Sequence, residues 1–225
     1  MNNKKHSAGS VILAILAGMI STGCTVDAYD KGEGQYSNLT AELVQARVGT
    51  DKSITQVLTD RGEALRMETP ATAKWIEKGD TTYRALLYYN IVEDGLAAPV
   101  SISRVGVLAP RDSIKGAMKT DPLYVESVWK ARNGQYLNMR LRLLTGSTDD
   151  EKAIHTIGLL RDTLASTATH QHMTLYHDQG GMPEYYSTVT YASIPLSSVT
   201  ADSITITVNT YDRGLVKHTV ALKDL

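Results

Sequence analysis

The alternation of apolar and polar residues in short segments is the feature that most limits how this chain can fold. Over residues 83–91 the odd positions are apolar, and over residues 137–143 leucine or methionine alternates with asparagine or arginine. Successive side chains of a β-strand point to opposite faces of a sheet, whereas those of a helix repeat about every 3.6 residues. The pattern therefore predicts half-buried strands and a mainly β protein.

The first half of the chain, residues 38–112, is predicted to form a small OB-like β-barrel. Its five apolar segments are short, and strongly bent strands of this length suit a barrel of the OB or SH3-like type. The apolar phase slips by one residue at 104–105, which predicts a β-bulge at a barrel corner. Residues 70–78 could carry one helical turn. The predicted strands are 39–48, 54–59, 64–67, 83–91 and 100–107.

The second half, residues 120–225, is predicted to form an immunoglobulin-like β-sandwich. A polar segment bracketed by prolines, residues 110–122, marks the boundary between the halves. Residues 151–166 are ambiguous, because a stripe of apolar residues would suit a helix. Gly158 and the β-branched residues around it favour a strand near residues 154–160 instead.

Two hairpins in this half carry predictions of register. In the first, a three-residue loop that ends at a left-handed Gly134 keeps the apolar faces matched. A two-residue Asn-Gly loop is the alternative, and it would place Val128 opposite Met139. In the last hairpin the loop is predicted at residues 212–214. The predicted pairs are Trp129–Leu137 and Val125–Leu141 in the first hairpin, and Ile206–Val220 and Ile204–Leu222 in the last.

The N-terminal segment has the features of a bacterial export signal. Two lysines precede an apolar run over residues 11–20, and small residues lead from it to Cys24. A run of about ten apolar residues is too short to span a bilayer. The arrangement looks like a lipoprotein lipobox, which implies that residues 1–23 are a signal peptide and that Cys24 becomes lipidated. Residues 24–37 then form a polar tether. An ordinary secretory signal with a cysteine at this place is the alternative.

Charge and cysteine content exclude several classes of function. Removal of residues 1–23 takes away two of the 23 basic residues and no acidic ones, which leaves 21 basic and 24 acidic residues, a formal charge of −3. Such a chain lacks the basic surface that nucleic acids require, so no nucleic-acid partner is expected. Cys24 is the single cysteine. Its acylation would leave no thiol for a disulfide, a thiolate metal site or nucleophilic catalysis.

The sequence contains no motif typical of catalysis or metal binding. The sequence has no nucleophile-elbow pattern (G-x-S-x-G) and no zinc-protease pattern (H-E-x-x-H). It also has no Walker-type loop and no dinucleotide-binding G-x-G-x-x-G pattern. His170, His172 and Asp178 do not make a divalent metal site by themselves. We therefore predict no catalytic residue, no metal and no cofactor. The alternative is an envelope polymer hydrolase, in which Asp178 and Glu184 act as acid and base about 5–10 Å apart across a groove.

The candidate contact site is the segment of residues 176–186, in which glycines and a proline lie between tyrosines. Exposed rings with polar tips bind sugars and protein surfaces well. Tyr176, Tyr185 and Tyr186 are therefore predicted to bind a ligand. The alternative is that these tyrosines pack at the edge of the core, since the chain has no phenylalanine.

These segments together resemble the NigD-like lipoproteins of Bacteroidetes. The resemblance rests on the lipobox at Cys24, the short tether, the five-stranded first half, Trp129, residues 138–143 and 175–181, and a final Ile-Thr-Ile-Thr-Val strand. It implies an OB-like barrel followed by an immunoglobulin-like sandwich. The family takes its name from a bacteriocin-associated operon. The resemblance carries over one functional residue, the acylated cysteine, onto Cys24.

The sequence as a whole predicts a membrane-anchored, non-enzymatic binding module of the cell envelope. The expected location is the outer membrane, on its periplasmic or cell-surface face, with the lipid anchor as the membrane contact. The expected partner is an envelope protein, a bacteriocin or a glycan.

Overall fold

The computed structural model describes residues 38–223, which form a closed five-stranded barrel and a β-sandwich. This confirms the predicted mainly β fold class. Residues 1–23, Cys24 and the tether 24–37 lie outside the described residues. Within the described part of the chain, no helix is long and apolar enough to cross a membrane. The barrel strands are β1 (Thr40–Val48), β2 (Ile54–Thr59), β3 (Ala64–Ala71), β4 (Thr81–Glu93) and β5 (Leu96–Arg104).

The barrel closes in the order β1-β2-β3-β5-β4, and β4 pairs back onto β1. Its neighbouring strands are antiparallel except β3 and β5, which meet in a short parallel pairing. The alternation predicted for β4 is confirmed at Ala85, Leu87 and Tyr89, which are fully buried in the barrel core, whereas Ile91 at the end of the predicted run is 54% exposed. A buried tyrosine needs a partner for its hydroxyl. Tyr89 Oη donates to Glu42 Oε2 at 3.1 Å, and burial raises the pKa of Tyr89 to about 12.

Two four-stranded sheets form the sandwich, in the orders β6-β11-β8-β7 and β13-β12-β10-β9. Leucine, isoleucine, methionine and valine side chains fill the space between the sheets, as a core separate from that of the barrel. A short 3₁₀ turn, Leu196–Ser198, follows β11. The strands are β6 (Gly106–Val107), β7 (Tyr124–Lys130), β8 (Tyr136–Thr145), β9 (Thr156–Asp162), β10 (His170–Asp178), β11 (Tyr186–Pro195), β12 (Ser203–Thr210) and β13 (Gly214–Ala221).

Besides its antiparallel hairpins, the sandwich contains two parallel pairings. β10 pairs in parallel with β12, and β6 pairs in parallel with β11. Parallel neighbours cannot be joined by a tight hairpin and need a crossover. Between β10 and β12 the chain makes that crossover through β11, which belongs to the opposite sheet.

The phase slip at residues 104–105 is not a bulge within a barrel strand, so that prediction is wrong. β5 ends at Arg104, and Val105 N donates to Arg84 O at 2.9 Å. The next two residues form β6 in the sandwich. The apolar phase changes here because the chain leaves one sheet and joins another.

The first hairpin changes register once along its length. Near the turn, Val128 pairs with Met139, which is the register of the two-residue loop and not the predicted one. A bulge further along β7 restores the predicted pairing of Val125 with Leu141. The prediction for Trp129 is therefore wrong: this residue pairs with a polar position and lies on the outer face of its sheet.

The pairing in the last hairpin is displaced by two residues from the predicted one. Ile206 pairs with His218 and Ile204 with Val220, so the connecting loop is residues 211–213. A shift of two residues keeps every side chain on its predicted face, because the side-chain period of a strand is two.

The two ambiguous segments are resolved by the structure. β9 lies within residues 151–166, which confirms the favoured strand over the helix. Residues 70–78 contain no helix: β3 extends to Ala71, and a single turn follows in which Ile76 N donates to Ala73 O at 3.1 Å.

A buried polar network joins the barrel to the sandwich. The Arg84 side chain is fully buried, and its Nη2 lies 2.6 Å from Asp60 Oδ2. The same guanidinium donates to Asn138 Oδ1 and to Ser193 Oγ, each at 3.0 Å, and its Cζ lies 4.2 Å from the Tyr136 ring centroid. The network therefore holds β4 of the barrel against β8 and β11 of the sandwich.

Candidate functional site

The three tyrosines predicted to bind a ligand lie on different faces of the sandwich. Tyr176 is on the outer face of β10, where it lines a groove beside residues 107–115. Tyr185 and Tyr186 belong to the other sheet and are 78% and 55% exposed. Tyr185 lies in the bend before β11, and Tyr186 is the first residue of that strand. The structure thus does not bring the three side chains together.

Tyr185 is the most exposed of the three and is nevertheless held in place. Its backbone N–H donates to Thr145 O at 2.9 Å, and its ring lies over Gly146. A Cβ at Gly146 would come within 2.7 Å of Tyr185 Cδ2 and 2.9 Å of Pro183 Cβ, so a glycine is needed beneath this ring. The Tyr185 ring thus lies beside Gly146 while most of its surface faces solvent.

A column of stacked side chains lies at the same end of the sandwich. Arg142 Cζ is 4.0 Å from the ring centroid of Tyr124, and the Tyr124 ring stacks on Tyr211 at 5.2 Å with an interplanar angle of 30°. Tyr211 Oη donates to Glu184 Oε1 at 2.6 Å. We call these four residues the tyrosine column. Glu184 directly precedes Tyr185, so the end of the column and the exposed ring belong to the same segment of the chain.

The hydrogen bond at the end of the column fixes the protonation of both its partners. The hydroxyl of Tyr211 lowers the pKa of Glu184, so this carboxylate is ionised at neutral pH. Burial, together with the nearby carboxylate, raises the pKa of Tyr211, which therefore stays a neutral donor. Glu126 adds a second negative charge, since it accepts from Arg142 Nε at 3.0 Å. The surface thus combines aromatic rings with paired charges of both signs.

Sequence reasoning missed the tyrosine column because its members are far apart in the chain. Tyr124 lies on β7, Arg142 on β8 and Tyr211 in the turn after β12. The available signal was their placement on outward-facing strand positions near the ends of hairpins. These residues come together only because the start of β7 lies against the end of β12. At this place Tyr211 N donates to Leu123 O.

The carboxylates considered for hydrolysis are both already engaged. Asp178 Oδ2 lies 2.7 Å from Lys119 Nζ, and this contact lowers the pKa of Asp178. Glu184 accepts from Tyr211, which lowers its pKa as well. A general acid must hold a proton at working pH. With both pKa values lowered, neither carboxyl is suited to that role.

A cleft of about 430 Å³ opens between the barrel and the sandwich. Its sandwich wall carries Trp129 and Tyr191, whose rings meet edge to face at 6.5 Å. This size is within the range of small-ligand sites. The barrel wall includes Glu42, Arg61 and Leu86.

A buried and a half-buried histidine form a pair elsewhere in the sandwich. His177, only 2% exposed, has its Nδ1 2.8 Å from Asp121 O, and its Nε2 lies 3.0 Å from His155 Nδ1. Because a carbonyl only accepts, His177 Nδ1 carries a hydrogen and donates it to Asp121 O. Burial lowers the pKa of His155. Within residues 38–223, no three metal-ligating side chains converge.

Comparison with known protein families identifies the family of this chain. A sequence profile of the NigD-like C-terminal beta sandwich domain matches residues 107–222, which is more than half of the chain. The chain belongs to the NigD-like family. The NigD-like domain contains the tyrosine column and Tyr185, whereas the barrel wall of the cleft lies outside it.

Solved structures share the fold of this NigD-like chain. A NigD-like immunity protein from Bacteroides caccae is 28% identical, with a TM-score of 0.64 over 80% of this chain and 91% of that one. A protein of unknown function from Bacteroides vulgatus is 14% identical, with a TM-score of 0.61 over 83% and 92%. A candidate lipoprotein from Bacteroides fragilis is 12% identical, with a TM-score of 0.59 over 82% and 98%. At these identities the last two show the fold alone. None of the curated proteins compared with the chain matches it significantly.

Proposed function

We propose that this NigD-like protein is a non-enzymatic lipoprotein of the cell envelope that captures a bacteriocin-type protein and thereby protects its host. The observation that carries the proposal is the exposed Tyr185 ring, held over Gly146 beside the tyrosine column. Tyrosine and arginine are enriched at protein interfaces and at their energetic hot spots. The 28% identity to a NigD-like immunity protein supports the same class of function.

A pre-positioned aromatic ring suits capture better than a mobile one. Each side chain that becomes immobilised on binding costs about 0.5–1.5 kcal/mol of entropy. The Tyr185 backbone is already held by its hydrogen bond to Thr145 O, and its ring lies beside Gly146, so part of this cost is met before binding. The ionised Glu184 and the partly exposed Arg142, at the two ends of the tyrosine column, supply charges of both signs for a protein partner.

The proposed location is the outer membrane, with Cys24 as the lipidated residue. The support is the N-terminal pattern of lysines, an apolar run and small residues before the single cysteine. Residues 24–37 would then separate the folded part from the membrane by at most about 50 Å when fully extended. Capture at this distance places a partner close to the membrane surface.

The proposed capture is tested by protection of living cells. Deleting the gene from its host should increase killing by culture supernatants of bacteriocin-producing relatives, and the wild-type gene should restore survival. We expect Tyr185→Ala to fail to restore it. Tyr186→Ala is the matched control, because Tyr186 is a neighbouring exposed tyrosine whose ring is not one of the groups nearest Gly146, and its loss should leave protection intact. Equal killing of the deletion and wild-type strains contradicts the proposal.

The proposed anchor is tested separately by Cys24→Ala. The variant should leave the membrane fraction while keeping the thermal stability of the wild-type fold, since residues 38–223 make the whole described core. Incorporation of a labelled fatty acid into the wild-type chain alone is the second readout. A variant that stays in the membrane fraction would show that another segment holds the protein there.

A further inference from the structure

The cleft between the barrel and the sandwich has fixed walls. The turn after β7 docks on the barrel, since Asn133 N donates to Asp60 O and Asn133 Nδ2 donates to Thr59 O, both at 2.9 Å. The buried Arg84 network joins the same two layers beneath the cleft. A cleft whose walls are connected at two places is already formed before a ligand arrives, which reduces the ordering cost of binding.

Two hydrogen-bond donors in the cleft have no partner in the part of the chain that the structure describes. Trp129 is partly exposed, and its indole Nε1 makes no hydrogen bond within residues 38–223. Arg132 is exposed, and its guanidinium makes neither a hydrogen bond nor an ion pair with any of these residues. An aromatic face beside a free guanidinium offers one apolar platform and one bidentate anion contact.

The other charged groups of the cleft are matched already. Arg61 pairs with Glu42 at 2.8 Å, and Arg140 pairs with Glu126 at 3.1 Å. Asp60 pairs with the buried Arg84 at 2.6 Å, and Lys130 Nζ donates to Leu222 O at 3.0 Å. Among the cations that line the cleft, Arg132 is the one that has neither an ion pair nor a hydrogen bond within the described residues. The charge of the cleft favours a ligand that carries a single negative group per unit bound.

We propose that this cleft binds an acidic sugar unit of a glycan, with the pyranose ring on Trp129 and its carboxylate on Arg132. The C–H face of a pyranose is apolar and gains free energy by covering an indole ring. A carboxylate matches the fork of N–H groups on a guanidinium. The cleft volume of about 430 Å³ suits one or two sugar units. A protein partner would instead need a flat contact of about 800 Å².

The test uses the full chain and digalacturonic acid as the probe, with its methyl ester as the uncharged counterpart. Titration calorimetry and Trp129 fluorescence should both report binding of the acid, and the ester should bind at least about ten-fold more weakly, as expected for one lost charge-assisted contact. Arg132→Ala should weaken binding of the acid by a similar factor. Arg213→Ala is the matched control, because it removes an exposed arginine from a turn outside the cleft and should change nothing.

Three outcomes would overturn the proposal. The first is no binding of the acid, the second is equal binding of the acid and the ester, and the third is an oligo-glutamate peptide that binds more tightly than the sugar in an Arg132-dependent way. Binding of the acid by Tyr185→Ala should be unchanged, since Tyr185 does not line the cleft. The sugar site and the proposed protein capture can therefore fail independently.

Discussion

Replacement of Arg84 by methionine should destabilise the protein more than any substitution on its surface. The guanidinium is fully buried and supplies donors to Asp60, Asn138 and Ser193. Methionine has a similar length and fills the space without a charge. Asp60 is 8% exposed and would then be a buried carboxylate with no cation, held by one donor from Asn138 Nδ2 at 2.7 Å.

The expected loss follows from this uncompensated charge. Removing one partner of a buried ion pair costs about 3–5 kcal/mol, because the remaining charge stays desolvated. For a folded unit of this size, each kcal/mol lowers the melting temperature by about 2–4 °C. Arg84→Met should therefore melt about 6–20 °C below the wild type.

Urea unfolding of four proteins tests this reasoning. Besides the wild type and Arg84→Met, the set contains Arg66→Met, an exposed arginine on β3 whose loss should cost no more than about 0.5 kcal/mol. The fourth is the double variant Asp60→Asn with Arg84→Met, which removes both charges and should be more stable than Arg84→Met alone. The reasoning is refuted if Arg84→Met is as stable as Arg66→Met, or if the double variant is the least stable.

Three further perturbations have expected outcomes. Because the pKa of His155 is lowered in the folded protein, this residue favours the folded state at pH values above its ordinary pKa of 6.5. This contribution should be lost as the pH falls below 6.5. Thermal stability should therefore drop between about pH 7 and 5, and it should drop less in His155→Gln. Gly79→Ala should cost about 1–3 kcal/mol in urea unfolding, because its Cβ would lie 2.7 Å from Gly49 O. Tyr211→Phe should raise the pKa of Glu184 in an NMR titration, because the hydrogen bond that lowers it is lost.

Each of these three expectations has a control and a contradicting result. His218 also has a pKa lowered by burial, so His218→Gln shows how much of the acid sensitivity belongs to the other histidine. A pH dependence that is unchanged in His155→Gln contradicts the first expectation. Gly106→Ala is the control, because its backbone is not in the left-handed region and a Cβ there would meet Tyr191 O only at 3.9 Å, an ordinary contact distance. An unchanged Glu184 titration in Tyr211→Phe would mean that the hydroxyl does not hold that carboxylate.

Much of the fold could be predicted because strand alternation is a local property. The pattern of β4 predicted which face is buried, and Leu87 and Tyr89 indeed lie in the barrel core. The strand at β9 is also predicted from a local property, the residue types of Gly158 and its β-branched neighbours. These predictions hold because adjacent side chains of a strand must face opposite sides whatever the strand pairs with.

The errors share one cause, which is that pairing partners are not local. The phase slip after Arg104 was interpreted as a bulge, but it marks the passage into a different sheet. Trp129 was placed over the core because apolar matching ignored the bulge further along β7. The bulge in β7 therefore decides on which face of the sheet Trp129 lies, and Trp129 belongs to the proposed sugar site.

The sequence by itself determined the class of the fold, the faces of its strands and the single cysteine that predicts an anchor, because each of these depends on neighbouring residues or on residue counts. Only the tertiary structure decided where functional chemistry gathers. Tyr124 and Tyr211 are distant in the chain, and they stack because β7 meets the end of β12. A hairpin turn from the sandwich likewise brings Arg132 to a cleft whose other wall is the barrel. Such contacts arise from packing between layers, which no local pattern encodes.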